Sequence, residues 1–144
     1  MKTKRSLVLI EDDDLDLALI QEALRELSVK NPLKIFRNGE QALAFLKSTN
    51  DPPLLILSDI NMPKMSGLEL KQEIEKDESL KRKSVPFIFL TTSGTEKDLE
   101  KAYRLNVHGY FIKPTDIKLW SIKLDLMLQY WIHALTPTKP YVPS

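Results

Sequence analysis

Five short apolar runs, separated by stretches with helical spacing, constrain the fold of this chain more than any other feature of its sequence. Each run is rich in branched residues and has the length of a buried strand, not of a helix. Regular alternation of strands and helices favours a parallel sheet covered by helices on both faces. We therefore predict an α/β fold with a doubly wound parallel sheet. The predicted strands are Leu7–Ile10, Leu33–Phe36, Leu54–Leu57, Phe87–Leu90 and Tyr110–Ile112.

The stretches between the runs carry helix signals of two kinds. After the first run, Leu17, Ile20, Leu24 and Leu27 fall on one helical face. Three further stretches begin with a side chain that can accept hydrogen bonds from the backbone of a first helical turn. These predicted helix starts are Asn38 to Gln41, Ser66 to Glu69 and Thr95 to Asp98.

Composition limits the classes of function that the chain can have. Its 144 residues and 42% hydrophobic content are enough for one domain with one core. A formal net charge of +1 creates no global field that would attract nucleic acid or an anionic membrane, so we expect neither as a partner. The absence of cysteine excludes disulfides and thiolate metal sites. Because the basic start lacks the long apolar segment of a signal peptide, we expect a cytoplasmic protein.

We divide the chain into three parts. Residues 1–5 form a short N-terminal tail and residues 6–135 form the folded domain. Residues 136–144 are rich in proline and offer little to bury, so we expect a mobile C-terminal tail.

Polar side chains follow the predicted strands at the positions where each strand ends. Glu11 and Asp12 follow the first strand, Asp59 the third, Thr91 the fourth and Lys113 the fifth. In a doubly wound sheet, ligands bind outside the carboxyl ends of the strands, so these side chains are expected to converge. Carboxylate oxygens suit Mg²⁺, which commonly uses one or two carboxylates together with phosphate oxygens. The neighbouring Asp13 and Asp14 fit the start of a helix instead, where the helix dipole favours acids.

With these residues in place, the chain resembles the receiver domain of response regulators, the phosphoaccepting half of two-component signalling. The resemblance covers roughly residues 6–135 and rests on four motifs in order, LVLIEDD, ILSDINMPKMSG, FLTTSG and GYFIKP. It implies a flavodoxin-like strand order of 2-1-3-4-5 with five helices.

The resemblance also assigns roles to the residues at the strand ends. It implies that Asp59 is the phosphoacceptor, because a carboxylate can attack phosphorus and form an aspartyl-phosphate. It implies that Mg²⁺ is held by Glu11, Asp12, Asp59 and the backbone carbonyl of Asn61. The charge of the transferring group is then met by fixed cations.

Three further residues take roles from the same resemblance. Lys113 is the second fixed cation, and its bond to Pro114 resembles the family's cis peptide bond. Thr91 donates its hydroxyl to the new phosphoryl group, and Tyr110 resembles an aromatic switch that turns inward when Thr91 moves. Phosphorylation would thus alter a distant surface.

The last helical stretch, Ile117 to Leu135, has more apolar surface than a helix lying on a sheet needs. A second apolar face would either be buried more deeply or contact another protein, and we favour contact with a second copy of the chain. Its charged residues Lys118, Lys123 and Asp125 exclude a membrane span. The predicted partner surface comprises Leu99, Tyr103, Leu119, Ile122, Leu126, Tyr130 and Trp131.

We therefore predict a stand-alone, single-domain response regulator, similar to receivers paired with phytochrome-like or hybrid sensor kinases. It would accept phosphoryl from a sensor histidine kinase or phosphotransfer protein and associate with a downstream protein target. Apart from its own phosphorylation and dephosphorylation, it would not act as an enzyme.

Two alternatives remain open at this stage. A phosphohydrolase with an aspartate nucleophile would need an acid two residues further on, where Asn61 stands. A phosphate-independent adaptor would keep the fold without using the site.

Overall fold

The computed structural model describes residues 4–140 and 143 as an alternating series of strands and helices. Residues 1–3, 141, 142 and 144 lie outside this description, and parts of both predicted tails fall there. The strands are β1 (Leu7–Ile10), β2 (Leu33–Phe36), β3 (Leu55–Asp59), β4 (Phe87–Thr91) and β5 (Gly109–Ile112). The helices are α1 (Asp14–Glu26), α2 (Gly39–Ser48), α3 (Gly67–Lys76), α4 (Glu78–Lys83), α5 (Glu96–Arg104) and α6 (Ile117–His133).

The five strands form one parallel sheet in the order β2-β1-β3-β4-β5, which confirms the predicted fold class and strand order. The three inner strands are buried along their whole length, while the edge strands β2 and β5 are partly exposed. Burial on both faces explains why the inner strands are continuous apolar runs without polar alternation.

The sheet separates two apolar cores, and alternate residues of each strand point into opposite ones. Along β1, Leu7 and Leu9 belong to the core that also contains residues of α1 and α6. Val8 and Ile10 belong to the core that receives residues of α2, α3, α4 and α5. The doubly wound arrangement therefore follows from the spacing of apolar residues in the sequence.

The described residues contain six helices, one more than the resemblance implied. The additional helix is α4, whose single buried apolar residue is Leu80. Asp77 makes it possible, because this residue ends α3 and its side chain accepts a hydrogen bond from the Leu80 backbone N–H at 3.0 Å. The three predicted capping patterns are confirmed at Asn38, Ser66 and Thr95.

Helix α6 buries one face and exposes the other. Trp120, Leu124 and Leu128 are buried in the core, and Trp131 packs against it. None of the helices that the structure describes is long and apolar enough to cross a membrane. The exposed apolar residues of α6 are Leu119, Ile122, Leu126, Tyr130 and Ile132.

The start of the proline-rich segment forms a turn next to the N-terminal part of the chain. Thr136 and Lys139 form an isolated antiparallel bridge. The Arg5 guanidinium donates a hydrogen bond to the Thr138 carbonyl, and the Lys139 ammonium donates one to the Ala134 carbonyl at 3.2 Å. Residues that we predicted to lie in two separate tails are thus in contact.

Candidate functional site

The predicted site residues lie together at one edge of the sheet, because the carboxyl ends of parallel strands meet there. Glu11 directly follows β1, Asp59 ends β3, Thr91 ends β4 and Lys113 directly follows β5. All four residues are buried. Asp12, next to Glu11, is partly exposed at the rim of the same edge. The structure therefore brings together five of the residues that the sequence singled out.

Three acids form a cluster that fits a divalent cation. Glu11, Asp12 and Asp59 each place one carboxylate oxygen within 4.8 Å of the others. Glu11 Oε2 accepts a hydrogen bond from the Asp13 N–H at 3.2 Å, and Asp59 Oδ1 accepts one from the Ile60 N–H at 2.8 Å. Glu11 Oε1 is buried and accepts no hydrogen bond. Carboxylate oxygens held this close together are suited to a hard cation such as Mg²⁺.

The Lys113 ammonium lies among three carboxylates. Its Nζ is 2.5 Å from Glu11 Oε1, 2.9 Å from Asp16 Oδ2 and 3.4 Å from Asp59 Oδ2. Of these three contacts, only the one to Asp16 has the geometry of a hydrogen bond. The contacts to Glu11 and Asp59 are ion pairs, and the one to Glu11 is the shortest of the three, so the lysine partly neutralises the cluster.

The pKa values at the site reflect the competition between burial and these contacts. Burial raises the pKa of Glu11 to about 7, while the Lys113 ammonium opposes that rise and the Asp59 carboxylate adds to it. Burial also raises the pKa of Asp59, again against the effect of Lys113. Burial alone would lower the pKa of Lys113, but the contacts with Glu11 and Asp16 outweigh it and raise the pKa. Glu11 and Asp59 therefore hold a proton more tightly than exposed carboxylates do.

Thr91 ends β4 at the site, and Tyr110 lies on the neighbouring strand β5. Thr91 Oγ1 donates a hydrogen bond to the Ser93 carbonyl at 3.2 Å and accepts one from the Ser93 N–H at 3.4 Å. The Tyr110 ring packs edge-on against Phe89 at 6.3 Å between ring centroids, and its hydroxyl is buried without a hydrogen-bond partner. The roles of both residues in a switch remain predictions.

The loop after β3 carries Asn61, which is exposed. The role of its carbonyl oxygen as a metal ligand remains a prediction. The loop returns to the strand at Gly67, whose N–H donates to the Ile60 carbonyl at 2.8 Å. A Cβ atom at Gly67 would lie 2.1 Å from the Asp59 carbonyl oxygen, so only glycine fits here. The close packing of α3 against Asp59 depends on this residue.

One expectation about Lys113 is wrong. The structure has no cis peptide bond in the part of the chain that it describes, so the bond from Lys113 to Pro114 is trans. The backbone N–H of Lys113 donates to the Thr91 carbonyl at 2.7 Å, which extends the pairing of β4 with β5. This pairing holds the backbone of Lys113 beside Thr91.

Asp16 is a site residue that the sequence did not reveal. It stands three residues after Asp13, whose side chain accepts a hydrogen bond from the Asp16 N–H at 2.8 Å and begins α1. In a capping box, the acid at Asp16 would return a hydrogen bond to the Asp13 N–H. That N–H donates to Glu11 instead, and the Asp16 carboxylate is left to bind Lys113. The signal in the sequence was present but resembled ordinary capping.

Comparison with known proteins gives a consistent result. A family model described as the response regulator receiver domain matches residues 7–122. Response regulator Rcp1 of Synechocystis sp. is 36% identical over 135 residues, which cover 90% of this chain and 90% of that protein. The crystal structure of the phosphorylated cyanobacterial phytochrome response regulator RcpA has a TM-score of 0.83 at 33% identity, covering 94% of this chain and 99% of that one. The Mn²⁺-bound form of response regulator Rcp1 has a TM-score of 0.78 at 32% identity, with coverage of 97% and 99%.

Proposed function

The chain belongs to the response regulator receiver domain family, and on that premise we propose that it accepts a phosphoryl group on Asp59 from a sensor histidine kinase or a phosphotransfer protein. The observation that carries the proposal is the position of Asp59, which lies beside the Lys113 ammonium and shares a cation-binding cluster with Glu11 and Asp12. An isolated aspartate in a turn has no such surroundings.

The chemistry follows from this geometry. A carboxylate oxygen of Asp59 attacks the phosphorus of a phosphohistidine, the P–N bond breaks, and its electron pair stays with the histidine nitrogen. Lys113 is within reach of the phosphoryl oxygens and meets their charge. Mg²⁺, when bound by Glu11, Asp12, Asp59 and the Asn61 carbonyl, would supply further neutralisation of the same charge. The similar protein Rcp1 has a Mn²⁺-bound form, which supports a divalent cation as a ligand of this chain.

The proposed output is a change of association. The phosphoryl group adds ~1.5–2 negative charges and strong acceptor oxygens. Thr91 would exchange its hydrogen bond with Ser93 for one to the phosphoryl group. Tyr110, which already has an unpaired hydroxyl in a partly buried position, would move with Thr91 and alter the surface around β5.

The partner surface that we propose extends over α5, β5 and α6 and is called here the α5–β5–α6 surface. Its predicted members on α5 and α6 are exposed, except Trp131, which packs mainly against the core. Ile112 on the edge strand β5 joins them. We propose that a second copy or a downstream protein target binds there. The cytoplasmic location of the protein remains a prediction. The surface comprises Leu99, Tyr103, Ile112, Leu119, Ile122, Leu126 and Tyr130.

The test is intact-protein mass after incubation with a small-molecule phosphodonor and Mg²⁺. We expect one phosphoryl adduct in the wild type, none in Asp59→Asn, and none when a chelator removes the cation. Asp51→Asn, which changes an exposed loop acid, is the matched control and should retain the adduct.

Two outcomes would contradict the proposal. An adduct that persists in Asp59→Asn would place the chemistry elsewhere. A folded protein that forms no adduct with either the phosphodonor or a cognate kinase would instead support the phosphate-independent adaptor.

A further inference from the structure

The Lys113 ammonium has one partner that lies outside the cation cluster. Its hydrogen bond goes to Asp16 Oδ2 at 2.9 Å, while its contacts with Glu11 and Asp59 are ion pairs without hydrogen-bond geometry. The cation cluster consists of Glu11, Asp12 and Asp59, and Asp16 is not part of it. Lys113 therefore contacts two acids that would coordinate a metal ion, Glu11 and Asp59, and one acid that would not, Asp16.

A divalent cation in the cluster would conflict with the present position of Lys113. Its Nζ lies 2.5 Å from Glu11 Oε1, an oxygen that fits a metal ion. A metal ion bound to that oxygen would lie close to the ammonium, and two neighbouring cations repel strongly in a buried site. The ammonium is itself buried, so it needs another acceptor when it withdraws from Glu11.

From these contacts, we infer that Asp16 is a positioning residue which retains Lys113 at the site while a divalent cation occupies the acid cluster. Asp16 would act through the lysine and would touch neither the cation nor the phosphoryl group. The inference rests on the proposed function, because it concerns the same site and the same cation.

The first turn of α1 is built to hold Asp16 in this position. The backbone N–H of Asp16 is held by the Asp13 side chain, and the neighbouring Leu17 is buried in the core. Asp14 in the same turn cannot replace it, because its exposed carboxylate forms an ion pair with Arg37 at 2.5 Å. Asp14 is therefore a matched control for the loss of one negative charge from this turn.

The test is a double-mutant cycle on the affinity for Mn²⁺, measured by electron paramagnetic resonance of the free ion. Asp16→Asn should weaken Mn²⁺ binding about 10-fold. This is the lower end of the affinity loss usually seen when a residue that supports a metal site without contacting the metal is replaced. Asp16→Glu should restore most of the affinity, and Asp14→Asn should leave it nearly unchanged. In a Lys113→Met background, Asp16→Asn should change the affinity by about twofold or less, because the lysine through which it acts is gone.

Two results of the cycle would overturn the inference. If Asp16→Asn binds Mn²⁺ as tightly as the wild type, the lysine needs no second acceptor. If the loss is as large with Lys113→Met as without it, Asp16 acts directly through its charge.

A second measurement applies even if Lys113→Met does not fold. The ammonium signal of Lys113 in ¹⁵N NMR should persist after Mg²⁺ is added to the wild type and to Asp14→Asn, because the hydrogen bond to Asp16 slows exchange with water. It should disappear in Asp16→Asn, and its survival there would contradict the inference. Failure of the proposed function can be distinguished from failure of this inference, because in that case the wild type would bind Mn²⁺ but form no phosphoryl adduct.

Discussion

At the scale of single residues, the site holds more negative charge than the fold can easily accommodate. Glu11, Asp16 and Asp59 face the one ammonium of Lys113, and both Glu11 and Asp59 are buried. Buried charges without full compensation cost stability, and functional sites are where proteins commonly accept that cost. The stability of this chain is therefore expected to oppose the function that we propose for Asp59.

A substitution at Asp59 tests whether its buried charge lowers the stability of the chain. We expect Asp59→Asn to raise the free energy of unfolding at neutral pH by about 1 kcal/mol, because it removes a buried charge whose pKa is raised by burial. Urea unfolding in buffer without divalent cations measures the change. Asp51→Asn, at an exposed loop position, should stay within about 0.5 kcal/mol of the wild type. A clear loss of stability in Asp59→Asn would show that Lys113 compensates the charge completely.

Gly67 gives a second prediction at this scale. Gly67→Ala should lower the free energy of unfolding by about 1–3 kcal/mol, because its Cβ would overlap the Asp59 carbonyl oxygen, which is backbone and cannot move aside. Gly94→Ala is the matched control, since its Cβ would meet the end of the flexible Ile112 side chain at 2.8 Å. Urea unfolding of the two variants should show a large loss for the first and a small one for the second. Equal losses would contradict the argument from packing.

The sequence was sufficient to predict those site residues whose position depends only on the topology. Glu11, Asp59, Thr91 and Lys113 follow strand ends, and parallel strands bring their ends to one edge whatever the details of packing. Asp16 could not be predicted in this way. Its role depends on which carboxylate accepts the Asp13 N–H, and that choice is made by side-chain geometry in the folded site.

At the scale of elements, some features could likewise be predicted from the sequence and others could not. The five strands could be predicted because continuous burial on two faces leaves an unmistakable apolar run. The short helix α4 was missed because one buried residue, Leu80, cannot produce a helical period. The helix follows from the capping of Asp77, whose side chain begins α4 where its backbone ends α3. A single residue with two roles leaves little trace in a pattern based on spacing.

The junction of β4 and β5 contains a histidine whose charge state is linked to folding. His108 Nδ1 accepts a hydrogen bond from the Phe87 N–H at 3.1 Å, which requires this nitrogen to be unprotonated. Burial lowers the pKa of His108, and the nearby Lys71 ammonium adds to that effect while Glu75 opposes it. Trp131 of α6 packs edge-on against the imidazole and carries no charge.

These contacts predict a stability that depends on pH. Because the folded state holds the proton of His108 less tightly than the unfolded state, the free energy of unfolding should fall as pH decreases through about 6.5. His108→Gln should lose less stability than the wild type between about pH 7.5 and pH 5.5, since an amide does not titrate in that range. Urea unfolding at both pH values measures the difference. His133→Gln, at the end of α6, is the control and should keep the wild-type dependence.

At the scale of the whole molecule, exposed apolar residues are concentrated on the α5–β5–α6 surface. Tyr103 on α5, Ile112 on β5 and Leu126 on α6 are each about half exposed, at 53%, 45% and 62%. Strand β5 is also an edge of the sheet. Large exposed apolar patches commonly mark protein–protein interaction sites, which supports the proposed contact here. Ile112 of this surface pairs with Thr91, and Lys113 directly follows β5, so the surface adjoins the site where we propose phosphorylation. Any coupling between binding there and phosphorylation would act in both directions.

Association through this surface can be tested by sedimentation at several concentrations. The wild type should form a dimer as its concentration rises. The phosphodonor with Mg²⁺ should shift the protein concentration at which half of the chains are dimeric. Leu126→Glu should remain monomeric, because a symmetric interface would contain the new charge twice. Leu15→Glu is the matched control, since this side chain is 68% exposed on α1, outside the α5–β5–α6 surface, and should dimerise like the wild type. A wild type that stays monomeric at every concentration, with and without the phosphodonor, would leave a different protein as the partner of this surface.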